Sequence, residues 1–257
     1  MVTALVTGAT SGIGAAFADR LAATGWDLVL VARSLDRLDQ RAADLVHRYG
    51  GAVQVIAADL ADRDQCARVE ARLADASAPV HLLVNNAGFG TNTTFVKGDV
   101  EQHERQFDVL CRAVLRLTHA AITGPHGMVA RGSGAIVNVS SLAGWVPAGP
   151  YAAAKAWVTS FSQGIAAELS GSGVRVIAVC PGFTRTQFHQ HAGSDVSAIP
   201  DWLWLTVDQV AAAALRDLRA GRSRSIPTAR YKVLAALARH APASLVRAVY
   251  LRGRPTR

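Results

Sequence analysis

The sequence has little cysteine. Cys66, Cys111 and Cys180 are its whole supply in 257 residues. Few, widely spaced and odd in number, they suit neither a disulfide framework nor a zinc-ligand spacing, and a reducing cytoplasm is the expected setting. The sequence also lacks a long apolar run. From Met1 it passes directly into ALVTG without a charged leader or a cleavage site, and no segment approaches ~20 apolar residues, so neither an export signal nor a spanning segment is expected. No Pro/Ser-rich linker divides the chain, which favours a single domain in spite of its length. Acidic residues are scarce, 19 against 27 Lys and Arg, for a formal charge of +8. That excess does not imply a nucleic-acid partner. Many of the arginines fall late, between Arg216 and Arg257, among apolar residues and outside any reading motif.

What the chain does have is alternation. Half of its residues are hydrophobic, and the short apolar runs Ala4 to Thr7, Leu28 to Ala32, Val53 to Ala58, Val80 to Val84, Ala135 to Val139 and Val174 to Cys180 are separated by helical segments. Near-continuous apolar strands between helices predict an α/β fold, a Rossmann-type doubly wound parallel sheet, with Arg222 to Pro227 offering a last strand. The first run leads into TGATSGIG, with Gly8, Gly12 and Gly14 ahead of an Ala-rich amphipathic segment. Glycines allow the turn and a close backbone approach, and the free N–H groups and positive end of the following helix suit a pyrophosphate. At the end of the second run, where NAD-using proteins place an acidic residue on the ribose diol, stand Ala32 and Arg33. A guanidinium there complements a 2′-phosphate, so NADP(H) is the expected cofactor.

The stretch SSLAGWVPAGPYAAAKAW, Ser140 to Trp157, brings a hydroxyl, a phenol and an ammonium into one short segment. Pro150 suits the first turn of a helix, on which Tyr151 and Lys155 share a face four positions apart. Two unit charges about 4 Å apart at an effective dielectric near 20 interact by about 4 kcal/mol, so Lys155 is expected to draw the phenol from about 10 toward neutrality. Ser141, Tyr151 and Lys155, together with the T-G-x-x-x-G-x-G turn and Asn85-Asn86-Ala87-Gly88, resemble the short-chain dehydrogenase/reductase family over roughly residues 3 to 190. The resemblance implies an oxidoreductase in which Tyr151 donates a proton, Lys155 lowers its pKa and binds the nicotinamide ribose, and Ser141 hydrogen-bonds the developing oxyanion. It further implies a cofactor site made of Gly8, Ser11, Gly12, Ile13, Gly14, Arg33, Asp59, Leu60, Asn86, Ala87, Gly88, Pro181, Gly182, Thr184 and Thr186, with Tyr151 and Lys155. Asp59 also fits as a cap for the next helix, and the paired amides suit a tie between strand ends.

Two departures from that family carry expectations of their own. The interval from Ser141 to Tyr151 is about three residues shorter than usual, so either the connecting loop is trimmed or Ser140 competes for the role. Leu110 falls where the family carries a water-holding asparagine, and no asparagine occurs between Asn92 and Asn138. A leucine anchors no water, so a regular helix is expected over 107–113. From Gln187 to Leu205 the composition changes, with His189, His191, Ile199, Trp202 and Trp204 ahead of a capping-box pattern from Thr206 to Gln209. Such a loop at the carboxyl edge reads as a substrate lid, and its apolar residues suit a small lipophilic carbonyl or alcohol, ketoacyl or steroid-like. The two histidines lack a third ligand, and no metal site is expected.

Residues 1–227 are thus expected to form the catalytic domain, with a lid at about 187–205, and 228–257 a basic amphipathic extension. That extension suits either a subunit face or an anionic lipid surface, so peripheral membrane attachment of a cytoplasmic homodimer or homotetramer stays open. Leu110 also keeps open a dinucleotide-binding regulator or scaffold without turnover.

Overall fold

Each apolar run forms a strand because its side chains are buried on both sides of a sheet. The computed structural model describes residues 2–91, 93–188 and 199–240. Strands β1 (Thr3–Thr7), β2 (Asp27–Ala32), β3 (Val53–Ala57), β4 (Leu82–Asn85), β5 (Gly134–Val139), β6 (Val174–Val179) and β7 (Arg224–Ser225) make one sheet in the order β3-β2-β1-β4-β5-β6-β7, with every pairing parallel. The chain winds from β1 to one edge, then returns to β4 and winds to the other, so the direction reverses between β1 and β4. A crevice opens there at the carboxyl ends. The doubly wound parallel sheet is as the alternation predicts.

Helices α1 (Gly12–Ala22), α2 (Leu35–Tyr49), α3 (Arg63–Ala74), α4 (Val100–Phe107), α5 (Ala113–Ile122), α6 (Gly149–Glu168), α7 (Val207–Arg219) and α8 (Ala229–His240) cover the sheet. On one face Phe17 and Leu21 of α1, Leu38 of α2 and Val210 and Leu218 of α7 pack on Val6, Leu30, Val84 and Val137. On the other, Val69 and Leu73 of α3 and Leu117 of α5 pack on Leu5, Val29, Leu83 and Ile136. Full burial of a side chain such as Phe17 contributes about 1.5 to 3 kcal/mol, so these two layers hold the strand ends in fixed register for the site above them.

Helix starts follow local chemistry. The Ser34 side chain accepts from the Arg37 N–H at 3.4 Å, and Gly50 ends α2 in the left-handed region with φ 75°. Asp62, not Asp59, caps α3, accepting from the N–H groups of Asp64 and Gln65 at 2.9 Å each. The capping box at the start of α7 is present, with Thr206 Oγ1 accepting from Gln209 N and Gln209 Oε1 accepting from Thr206 N, both at 3.1 Å. The paired amides do tie strand ends: Asn85 donates to Asn138 Oδ1 at 2.9 Å, and Asn138 to Ser162 Oγ of α6 at 2.9 Å.

One expectation is overturned. Between α4 and α5 the backbone widens into a π turn, Asp108–Arg112, where a regular helix was expected. The wide turn does not depend on a polar anchor, because apolar packing fills it. Leu110 and Cys111 are both buried, against Ala154 of α6 with Tyr151 and Trp157 beside them. An ion pair between Arg112 and Asp108 at 3.0 Å spans the turn. Among the described residues no helix is long and apolar enough to cross a membrane.

Thr206→Ala removes one half of the capping box. Stability is expected to fall by about 1 kcal/mol, read as a lower urea midpoint at unchanged slope.

Candidate active site

Strand β5 ends at Val139 and delivers two serines whose side chains take opposite sides of the chain, as consecutive extended residues do. Ser140 turns inward. It is buried, and its Oγ lies 2.7 Å from both the Lys155 carbonyl oxygen and Thr159 Oγ1. Ser141 turns toward the crevice on the side of the Tyr151 phenol, its hydroxyl accepting from Ala143 N at 3.1 Å. The short interval to Tyr151 is spanned by a 3₁₀ turn, Leu142–Trp145, and α6 starts with Pro150 in its first turn. The loop is trimmed, and Ser141, not Ser140, stands beside the phenol.

Lys155 lies one turn further along α6. Its Nζ donates to the Val139 carbonyl at 2.7 Å and sits 5.8 Å from the centroid of the Tyr151 ring. This corrects the expectation of a phenol brought toward neutrality. Burial pushes Tyr151 up to about 12, the hydrogen bond from Ser141 opposes that, and the ammonium is directed at a carbonyl rather than at the phenol oxygen. Burial pulls Lys155 down to about 8. Behind Lys155 the wall is apolar: a Cβ added at Gly88 would lie 2.7 Å from Leu110 Cδ2 and 3.9 Å from Lys155 Nζ, so the bare backbone at 88 admits both side chains. Cys111 completes that wall, its thiol pushed up to about 11 by burial.

The glycine-rich turn lies across the crevice. Gly8 has φ 64°, and a Cβ at Gly14 would stand 2.2 Å from the Gly8 carbonyl oxygen, so only a bare α-carbon lets α1 begin this close to β1. Ser11 precedes α1 without a side-chain hydrogen bond to the helix, and Ile13 packs into the core below. Asn86 fixes the turn from β4, its side chain donating to the carbonyl oxygens of Thr7 at 2.9 Å and Gly8 at 3.3 Å. Thr7 Oγ1 in return accepts from Ala87 N at 3.0 Å. The result is a backbone cradle at a helix N-terminus, open to an anionic group and fitted to a dinucleotide pyrophosphate.

The remaining predicted residues surround this cradle. Arg33 is exposed at the end of β2. Asp59 stands past β3, where its carboxylate accepts from Ala61 N at 3.0 Å and pairs with Arg105 of α4; Leu60 beside it is buried. The Pro181 carbonyl accepts from Leu142 N at 3.0 Å, and Thr184 Oγ1 donates to the Gly182 carbonyl at 3.0 Å. Thr186 reaches the glycine turn, its Cγ2 3.3 Å from a Cβ built at Gly12. Three neighbours had gone unread: Phe188, with its ring centroid 5.5 Å from that of Tyr151; Arg105; and Arg37, which donates to the Thr10 carbonyl at 3.5 Å. Only Phe188 carried a signal, as an aromatic residue in the apolar lid. His189 and His191 lie outside the described residues, and among the described ones no cluster of His, Cys, Asp and Glu is built to hold a metal.

A model of the family described as short chain dehydrogenase matches residues 2–197. The sulfoacetaldehyde reductase of Chromohalobacter salexigens is 38% identical over 188 residues, 71% of this chain and 72% of its own. Among solved structures, a short-chain dehydrogenase from Sphingobium yanoikuyae in complex with NADPH superposes with a TM-score of 0.83 at 40% identity, over 92% of this chain and 93% of that one. The bulky-bulky ketone specific alcohol dehydrogenase from Comamonas testosteroni superposes with a TM-score of 0.80 at 33% identity, over 93% and 92% of the two chains.

The lowered pKa of Lys155 gives stability a pH dependence. Below about pH 8 the ammonium is charged in both states, and the fold carries the cost of burying it. From about 8 to the ordinary value of 10.5 the folded state has released a proton that the unfolded chain still holds, so stability rises with pH. Urea midpoints of the parent and Lys155→Met are therefore expected to shift in the parent's favour across that window, by up to about 1.4 kcal/mol per pH unit. A difference that stays flat contradicts this account of the buried ammonium.

Proposed function

Because the chain belongs to the short-chain dehydrogenase/reductase family of oxidoreductases, we propose that it interconverts a lipophilic ketone and its alcohol with NADP(H), using Ser141, Tyr151 and Lys155. The observation that carries this reading is the arrangement at the carboxyl edge: the Tyr151 ring with the buried Lys155 ammonium 5.8 Å from its centroid, Ser141 on the same side, and a backbone cradle for a dinucleotide across the crevice.

The dinucleotide, when bound, supplies the hydride that reduces the carbonyl carbon. Tyr151 supplies the proton to the carbonyl oxygen. With its pKa raised it stays protonated at neutral pH, and a developing alkoxide is a far stronger base than a phenolate, so the transfer runs toward the substrate. Ser141 orients that oxygen and donates to it as charge develops. Lys155 stabilises the phenolate left behind: a unit charge about 6 Å away at an effective dielectric near 20 contributes about 3 kcal/mol. The wall of Leu110 and Cys111 closes the helix side to water, so the proton returns to Tyr151 through the cleft.

Arg33 supports NADP(H), since an exposed guanidinium stands where NAD-users place a carboxylate, and two similar structures support the cofactor and the substrate class in turn. One holds NADPH, and the other is named for bulky ketones. Free buried thiols at Cys66, Cys111 and Cys180 suit the cytoplasm. Exposed Val100, Phe107 and Leu115 on α4, the π turn's edge and α5 offer the apolar surface for a homodimer or homotetramer.

Two variants test the chemistry. Tyr151→Phe is expected to leave NADPH affinity nearly unchanged and to lower turnover on a panel of ketones by at least ~100-fold; a variant with parental turnover would remove Tyr151 from the role. Arg33→Ala is expected to cost NADPH, but not NADH, ~10-fold or more in dissociation constant, and equal constants for both cofactors in the parent would end the NADP assignment. Full NADPH binding with no turnover on any carbonyl would favour a dinucleotide-binding regulator.

A further inference from the structure

Helix α8 has two dissimilar faces. Tyr231 and Ala235 are buried against the domain. The Tyr231 ring occupies the space in front of Gly182, where a Cβ would stand 2.1 Å from ring carbons, and its hydroxyl accepts from Phe183 N at 3.0 Å and donates to the Leu203 carbonyl at 2.7 Å. Arg230 donates to the Trp204 carbonyl at 2.9 Å, and the helix rests on the 3₁₀ turn that follows Ser141. The helix is therefore fixed to the Gly182–Phe183 segment that follows β6 and to the Leu203–Trp204 segment that precedes α7.

The other face is turned to solvent although it is apolar. Val233 is 59% exposed and Leu237 64%, with Leu234 on the same stripe. Trp202, on the lid end that α8 holds, is 58% exposed. The stretch of sequence that carries this stripe is one-sided in charge. From Thr228 to the end the sequence has seven Lys and Arg and no acidic residue, whereas residues 1–227 have 20 against 19. Nearly all of the net charge of +8 thus belongs to the segment that bears the apolar stripe. A charge excess alone would suit any polyanion, and an apolar stripe alone any oily partner. Tryptophan, leucine and valine exposed beside lysine and arginine, with the Asp201 carboxylate next to Trp202 paired to Arg185 at 2.6 Å, match a bilayer surface carrying anionic headgroups.

We propose that Trp202, Val233, Leu234 and Leu237 dock on an anionic bilayer surface and hold the mouth of the site against the lipid. Resting on the ketone-reductase reading above, the substrate class is then narrowed to ketones that partition into membranes and enter from the bilayer beside α8.

The full chain is mixed with vesicles of phosphatidylcholine alone and of phosphatidylcholine with phosphatidylglycerol, and sedimented. Recovery is expected with the anionic vesicles and falls as salt is raised. A Val233→Asp, Leu237→Asp double variant is expected to lose ~10-fold or more of that recovery, at unchanged thermal midpoint and NADPH dissociation constant. Equal recovery with both vesicle types, or an unaffected double variant, overturns the proposal. So does a shift from dimer to monomer caused by the same variant in ultracentrifugation, which would show that a second copy covers the face. For the substrate class, the variant is expected to raise KM for a long-chain ketone presented in anionic vesicles and to leave KM for a short water-soluble ketone unchanged; equal KM for both in parent and variant overturns that part. Vesicle binding without turnover on either ketone would sustain the docking surface and fail the enzymatic reading.

Discussion

The site depends on keeping one ammonium charged inside the protein. Lys155 is almost wholly buried, and an uncompensated charge there would cost several kcal/mol. Part of the cost is offset by the hydrogen bond to the Val139 carbonyl at the end of β5, and the remainder appears as a pKa lowered to about 8. That value leaves the group mostly protonated at neutral pH. It also explains the surroundings. Cys111 and Cys180 near it remain neutral thiols because burial raises both, so neither neutralises the ammonium. The bare backbone at Gly88 and the wide turn carrying Leu110 give it room without water.

The two serines divide the work that this charge creates. Ser140 Oγ is held by the Lys155 carbonyl and Thr159, which fixes the first turns of α6 against the end of β5 and so fixes where the ammonium stands. Ser141, on the other side of the same extended chain, is left to hold the phenol. A one-residue shift would exchange the two roles. The short link to α6 is therefore compatible with the geometry only because the 3₁₀ turn at Leu142–Trp145 consumes its length without turning the serines over.

The sheet, its direction and the glycine cradle were legible in the sequence because each rests on local chemistry: apolar runs, a glycine pattern at a strand end, Pro150 in a first turn and Thr206 at a cap. The shared face of Tyr151 and Lys155 on one helix was legible for the same reason. What escaped depends on contacts between distant segments. The π turn is held by Leu110 and Cys111 packing on Ala154, over forty positions away, and nothing in the local pattern of apolar residues distinguishes a leucine that fills a widened turn from one on a regular helix. The Tyr151 pKa was misjudged because spacing on a helix gives a shared face, not the direction in which an ammonium points; the Val139 carbonyl decided that. The pairing of Asp59 with Arg105 is likewise a tertiary contact between two ordinary surface residues.

The floor and the cover of the site are held in different ways. The cradle is rigid, with Asn86 and Thr7 locking the glycine turn to two central strands. The cover is tied differently. Thr184 pairs with Leu205 as a single bridge, closing the lid at its base, and Gly182 beside it is held under the Tyr231 ring. Because Tyr231 bonds both Phe183 N and the Leu203 carbonyl, one phenol ties together the segments before and after residues 189–198. The described ties of this cover are hydrogen bonds of about 1 kcal/mol each, whereas the floor is held by buried side chains packed on both faces of the sheet. Whatever displaces α8 therefore loosens the Gly182–Phe183 and Leu203–Trp204 segments together, while Lys155 stays bonded to the end of β5. Access to the site and its chemistry are carried by separable parts of the fold.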